Sequence, residues 1–286
     1  MLVCIPQPRD IEVRPGALAF AGLSLIFLPP DAEPLDLAAA ALLREEIVRL
    51  GGPTLPISRA WRPVGADGVL ALGDPASLLR AFGRDLHLPA VPADPEGYSL
   101  AVTPQGAALA ATTARGRLWA AQTFRQLLRV YGAMVPCVRV IDAPVMRYRG
   151  VLLDVSRRKV PTLETLYRLV DTLSLLKLNM LQLQVEHTFR FLRHPRIGAG
   201  CGSVTGEELL ALDAHCQRRG VELVPMLQSF GHMRNILMLE EYAHLAEHPA
   251  AQWSLCPTDL ASLQFMDELY EEFLPCFSSP RVNIGC

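Results

Sequence analysis

Tyr148-Arg-Gly-Val-Leu-Leu-Asp-Val155 is the stretch whose reading decides the fold of this chain. It reads as a strand, and from there helices and strands alternate. Pro161-Thr162 opens a helix whose apolar stripe is Leu166, Leu169, Leu173 and Leu176. Residues 179–185 form a second strand. Thr205-Gly-Glu-Glu208 is a capping box, in which hydroxyl and carboxylate satisfy free helix-end N–H groups reciprocally. That helix ends at Arg218-Arg219-Gly220, with cations in the last turn and glycine beyond it. Residues 221–227 read as a third strand, 259–274 as a helix, and 282–285 as a fourth strand. Strands separated by helices must pair in parallel through crossovers. Four such units are half of an eight-fold barrel, which takes about 250 residues when complete. The expected class is therefore α/β, with residues 144–286 as the first half of a TIM barrel. A small open doubly wound sheet is the alternative for the same elements.

Upstream of Asp142-Ala-Pro144 the rhythm differs, and residues 1–143 read as a small mixed α/β domain. Residues 22–28 and 68–72 are strands. Residues 98–102 and 107–111 form a hairpin across Pro104-Gln105-Gly106. Residues 35–50 make a helix stopped by Gly51-Gly52. Residues 115–130 make another, with Leu118, Ala121, Phe124, Leu127 and Leu128 on one face. Pro89, Pro92 and Pro95 mark an irregular loop.

Half of the 286 residues are hydrophobic and a fifth are charged, and the net charge is −2. That balance gives no electrostatic reason for nucleic acid or an anionic membrane as partner. Apolar runs such as 23–29 are too short to span a bilayer. The first ten residues carry no charged leader with an apolar core, and the seven cysteines have no metal-like spacing. A cytoplasmic protein is expected from both. An unclosed parallel half-barrel has open edges, so self-association through them is expected too.

Reactive groups of a barrel sit beyond the carboxyl ends of its strands. Those positions hold Asp154-Val-Ser-Arg157-Arg158-Lys159, Glu186-His187-Thr188-Phe189-Arg190, Gln228-Ser-Phe-Gly231-His232-Met233 and Asn283-Ile-Gly-Cys286. Carboxylate, imidazole and guanidinium groups on one rim suit a neutral polyol, because a guanidinium donates two parallel hydrogen bonds to adjacent hydroxyls. Plainer readings stand beside this one. Arg157 could belong to a solvated charge run, Glu186 could pair with Arg190 or Arg193, and His187 could be structural. His187, His194 and Cys201 could hold zinc, though without a recognised spacing. Phe189, Phe191 and Trp253 are expected in the core.

The same clusters resemble family 20 of the glycoside hydrolases, the β-N-acetylhexosaminidases. Arg149-Gly-Val-Leu-Leu-Asp-Val-Ser-Arg157 is similar to that family's first strand, Leu176-Lys-Leu-Asn179-Met-Leu-Gln-Leu-Gln184 to its passage into the second, and Arg219-Gly-Val-Glu-Leu-Val-Pro225 with Gly231-His232 to its third. Gly97-Tyr-Ser-Leu100, Ala111 to Gly116 and Gln122 to Leu128 resemble the small domain preceding the family's barrel. The resemblance implies removal of terminal β-linked N-acetylglucosamine or N-acetylgalactosamine from a glycan, with retention and without metal or cofactor. The substrate's own acetamido group attacks the anomeric carbon.

It implies that Arg157 binds hydroxyls of the terminal sugar and that His232 lies in the network beside the catalytic pair. Glu186, His187 and Gln228 stand at substrate-side positions where this chain departs from the commoner pattern. The family's catalytic Asp-Glu pair is expected just after Cys286, following Ile284-Gly285. Residues 1–286 by themselves are therefore expected to hydrolyse little, and a non-catalytic sugar-binding or interaction module is the alternative.

Overall fold

The computed structural model describes residues 3–65, 67–83 and 86–285. The backbone divides into two compact units. One holds the chain up to Arg147 with the short returns Thr172–Leu178 and Arg218–Gly220; the other holds Tyr148–Asp171, Asn179–Gln217 and the residues from Val221 onward.

The first unit contains, in chain order, β1 (Asp10–Ala19), β2 (Leu25–Leu28), α1 (Pro34–Arg49), β3 (Ile57–Arg59), β4 (Val69–Gly73), α2 (Pro75–Phe82), β5 (Tyr98–Thr103), β6 (Gly106–Ala110), α3 (Ala114–Tyr131) and β7 (Met134–Asp142). Its seven strands form one mixed sheet in the order β1-β7-β5-β6-β4-β2-β3. The expected hairpin and both long helices are present within a residue or two of their predicted ends. Strands β1, β3 and β7 and helix α2 were not legible from the pattern. β1 is mostly exposed and is interrupted by a bulge between Val13 and Ala17, and β7 carries Pro136 and Arg139. α1 and α3 pack Leu43, Ile47, Leu118, Phe124 and Leu127 with Leu70, Leu100 and Leu109 of the sheet in one apolar core.

Two polar clusters are buried in this unit. Lys177 Nζ donates to Asp142 Oδ2 and Tyr98 Oη at 2.9 Å each and to Thr123 Oγ1 at 3.1 Å. The Glu46 carboxylate receives Arg49, Arg125 Nη2 at 2.9 Å and Arg129 Nη2 at 2.8 Å.

The second unit contains β8 (Gly150–Asp154), most of α4 (Leu163–Leu175), β9 (Met180–Val185), all but the last residue of α5 (Gly206–Arg218), β10 (Glu222–Leu227), the single turn α6 (Arg234–Leu237) and α7 (Leu260–Phe273). The strands run parallel in the order β10-β9-β8. In their register Gly150 lies against Met180 and Met180 against Glu222, while Asp154 faces Gln184 and Gln184 faces Met226. All three carboxyl ends therefore come out level. Gly150 starts the first strand because a Cβ there would sit 2.5 Å from the Met180 carbonyl oxygen.

The α4 stripe is rotated from the predicted one. Leu166, Val170, Leu173 and Ser174 are buried, whereas Leu169 and Leu176 are half-buried. The Thr205–Glu208 capping box forms as read, with Glu208 N on Thr205 Oγ1 at 3.1 Å and Thr205 N on Glu208 Oε2 at 2.9 Å. α7 begins with Asp259 accepting from Ala261 N.

The predicted fourth strand is a single rung. Asn283 bridges Met226, with Asn283 N on Pro225 O at 2.9 Å and Leu227 N on Asn283 O at 3.2 Å. Pro280 has no N–H to give a ladder, and Gly285 turns to a φ of +68°. Together they leave no room for an extended run, and Cys286 lies outside the described residues.

Candidate functional site

The site grows from the three level strand ends. After β8, Asp154 Oδ1 accepts from Ser156 N at 2.9 Å and from Arg157 N at 3.2 Å. This carboxylate-capped turn is completed by Arg158 in the left-handed region at φ +66°. It sends the Arg157 side chain across the rim, where Nε lies 3.3 Å from Asp154 Oδ2 and 3.6 Å from Glu186 Oε1.

After β9, Glu186 N donates to Ser156 Oγ at 2.8 Å, and that hydroxyl lies 3.0 Å from Thr188 Oγ1. The first and second strand ends are thereby laced together through one serine. After β10, Gln228 N bonds Val185 O at 3.0 Å. The loop then places His232, also left-handed at φ +59°, with Nδ1 3.6 Å from Glu186 Oε1 and 3.4 Å from Arg157 Nη2. Nδ1 accepts from the guanidinium when the imidazole is neutral; protonated, it donates to the carboxylate instead.

Glu186 is the centre of this arrangement. Its side chain is buried, and Oε1 has no hydrogen bond among the described residues, being held only at ion-pair range by Arg157 and His232. Burial pushes its carboxyl above the ordinary range; His232 and Arg157 oppose that, and Asp154 reinforces it. A carboxylate so placed has an acceptor to offer to a ligand.

His187 sits beside it, with Nδ1 accepting from Asn235 Nδ2 at 3.2 Å, and burial lowers its pKa below the usual imidazole value. A cavity of about 630 Å³ is lined by Arg157, Lys159, Glu186, His187, Thr188 and Cys201, among others. Gln228 is buried next to the site with its Oε1 unbonded among the described residues, and a Cβ on Gly285 would come within 2.4 Å of that atom. Arg157, Glu186 and His232 thus converge, His187 lines the same cavity as Arg157 and Glu186, and Gln228 lies buried beneath the loop.

Several plainer readings are corrected by the geometry. Glu186 does not pair with Arg193, which binds Glu271 at 2.6 Å while Leu192 N and Arg193 N are taken by Glu272. His194 is engaged with Tyr242 Oη at 3.0 Å and Glu268 at 3.1 Å. Among the described residues no three His, Cys, Asp or Glu side chains gather as a metal site. Phe189 and Phe191 are core, packed edge-on to each other, but Trp253 is half exposed. Asn235 was missed in the sequence because its sole signal, proximity to His187 across the loop, is three-dimensional.

The chain matches the family models "Glycosyl hydrolase family 20, domain 2" over residues 3–143 and "Glycosyl hydrolase family 20, catalytic domain" over residues 146–286. It belongs to glycosyl hydrolase family 20. A β-hexosaminidase of Akkermansia muciniphila is 26% identical over 70% of this chain and 46% of its own length. A β-N-acetylhexosaminidase of Cellulomonas fimi is 27% identical over 80% of the chain and 46% of its own.

Among solved structures, Flavobacterium johnsoniae chitobiase superposes with a TM-score of 0.79 at 20% identity, covering 98% of this chain and 44% of that one. The likeness in fold supports a small α/β domain followed by a partial TIM barrel. The chain spans about half the length of the curated relatives it matches.

Proposed function

We propose that this protein is a β-N-acetylhexosaminidase-type glycoside hydrolase whose site receives a terminal β-linked N-acetylhexosamine of a glycan. The observation that carries the reading is the meeting of Arg157, Glu186 and His232 from three successive strand ends around a buried, unbonded carboxylate oxygen. Arg157, more than half exposed at the rim, donates its fork to adjacent sugar hydroxyls. Glu186 accepts a hydrogen bond from a hydroxyl of the same sugar and holds the guanidinium at ion-pair range. His232 orients both, its Nδ1 lying 3.4 Å from Arg157 Nη2 and 3.6 Å from Glu186 Oε1. Hydrolysis follows the substrate-assisted route in which the acetamido group attacks the anomeric carbon. A general acid contributes about 10²–10⁴-fold to such a reaction. The family resemblance puts that acid in the segment that follows Ile284-Gly285-Cys286.

Residues 1–143 and 144–286 are proposed as the two domains, a division supported by the family matches over 3–143 and 146–286. A cytoplasmic location is proposed on the cysteines, the six described ones being free thiols. Self-association through the barrel edge is proposed on β8, which pairs with β9 alone among the described residues and exposes Val151 and Leu152. Calorimetry tests the main reading. Heat of binding with N-acetylglucosamine at millimolar concentration, lost in Arg157→Ala, is the expected result; no heat from the unaltered chain would overturn it.

A further inference from the structure

The segment that carries Glu186 and His187 runs from the end of β9 to the start of α5, and His194 lies within it. His194 is buried, and both of its ring nitrogens are used. Nδ1 lies 3.0 Å from Tyr242 Oη, in the loop after β10, and Nε2 lies 3.1 Å from Glu268 Oε2 of α7. A carboxylate only accepts, so Nε2 carries the ring proton and Nδ1 accepts from the Tyr242 hydroxyl. That hydroxyl keeps its proton, because burial and a hydrogen bond with Glu241 push the phenol above its ordinary value. The other oxygen of Glu268 accepts from Gln264 Nε2 at 3.1 Å. Phe265 packs edge-on to the imidazole, with centroids 5.1 Å apart, and also meets the Tyr242 ring. One neutral imidazole thus joins two loops and a helix.

The same two loops meet at the site through weaker contacts. Asn235 Nδ2 lies 3.2 Å from His187 Nδ1, and His232 Nδ1 lies 3.6 Å from Glu186 Oε1. The His232 side chain is 40% exposed, so water competes with that contact. Arg196 and Glu241 add a pair at 3.3 Å, which is also open to water. The residues just before His194 are fixed from outside, since the Glu272 carboxylate of α7 accepts from Leu192 N at 2.6 Å and Arg193 N at 2.9 Å. The buried join at His194 is therefore the firm one, and neither His194 nor Tyr242 lines the cavity.

We infer that His194 is a positioning residue. Through Tyr242 it keeps the loop of Glu186 and His187 in register with the loop of His232 and Asn235, and so sets the affinity of the site for the terminal sugar. This rests on the proposed function. A constellation that binds must be held to about 0.5 Å by groups that are themselves locked. The contacts at the site are too long and too wet to supply that lock, and the Tyr242–His194–Glu268 chain supplies it.

Calorimetry with N-acetylglucosamine on the 286-residue chain tests this, at a temperature where circular dichroism shows each variant fully folded. Tyr242→Phe removes one hydroxyl and keeps the ring against Phe265, and it is expected to weaken binding about tenfold. His194→Ala is expected to lose at least as much. His194→Gln supplies an amide with one acceptor side and one donor side, and it is expected to keep most of the affinity. That rescue separates placement from packing, because an amide does not rebuild the ring contact with Phe265. If His194→Ala does not fold, Tyr242→Phe decides alone. Unaltered affinity in Tyr242→Phe, or His194→Gln as weak as His194→Ala, overturns the positioning role while leaving the sugar site standing. No binding by the unaltered chain overturns the site and the role together.

Discussion

Glu46 and Glu186 are both carboxylates taken out of water, at 2% and 6% exposure, and their surroundings treat them in opposite ways. Around Glu46, burial pushes the pKa up, but hydrogen bonds from Arg129 and Arg49 and the field of Arg125 more than reverse it, leaving the group below its ordinary value. Every lone-pair direction that matters is used inside the protein. Around Glu186, burial prevails over His232 and Arg157, one oxygen lacks a hydrogen bond among the described residues, and the pKa is raised.

A buried charge that is fully paired serves packing; one left short of partners costs stability unless something outside the chain completes it. The difference between the two glutamates separates a structural ion cluster from a binding site more cleanly than burial or charge alone.

The largest expected effect comes from breaking the satisfied cluster. Glu46→Gln leaves Arg125, itself largely buried, without its charged partner and should cost the first unit about 3–5 kcal/mol in urea denaturation. Glu186→Gln should cost far less at neutral pH, because it removes a charge that the fold does not fully pair. Equal losses at both positions would erase the contrast between them.

Arg157→Ala should weaken N-acetylglucosamine binding by at least about tenfold while leaving the denaturation midpoint close to that of the unaltered chain, since its ion pairs are long and rim-exposed. A large stability loss in that variant would make Arg157 a structural residue after all.

The pH dependence sharpens the comparison by its sign. Glu46, with its folded pKa lowered, contributes stability that is present above the unfolded value near 4.5 and lost as the pH falls through the folded one. Glu186, with its folded pKa raised, behaves inversely. Its contribution is full below about 4.5 and is lost as the pH rises through the raised value. Subtracting the stability curve of each Gln variant from that of the unaltered protein should therefore give slopes of opposite sign. Like slopes would show that the two environments do not differ in this way.

The smallest effect on folding is expected at the edge strand. Leu152 on β8 is 49% exposed, so Leu152→Lys should change stability by no more than about 0.5 kcal/mol while lowering the apparent mass by light scattering. An unchanged mass would remove the proposal of association through β8.

The sequence was most legible where one local rule sufficed. The capping box at Thr205–Glu208, the cations before Gly220 and the apolar runs at Met180–Val185 and Glu222–Leu227 each announce an element without help from the rest of the chain. The first-unit edge strand β1 failed that standard, since its mostly exposed side chains do not alternate and its pairing with β7 joins residues far apart in sequence. Residues 282–285 look like a strand by composition, yet extended pairing needs a ladder on both sides of Pro280 and Gly285, and only Asn283 makes one.

At the site, Arg157, Glu186, His187, Gln228 and His232 could all be named from their places after strands. What could not be read was that Glu186 lacks a full set of partners. That property belongs to the level register of three strands and not to any residue within them.

Cys201 gives the cavity a chemical handle. It lines the same space as Arg157 and Glu186 and is the most exposed of the described thiols; Cys4, Cys137, Cys216 and Cys276 are buried. Burial raises the pKa of all four buried thiols, so each is a weak nucleophile at neutral pH. A small alkylating reagent should therefore mark Cys201 ahead of these four, and the portion of labelling lost in Cys201→Ser belongs to the cavity. Occupancy then becomes a rate that mass spectrometry can follow. An amino sugar that enters slows the modification, and its affinity can be read from that protection even where no bond in the sugar is ever cleaved.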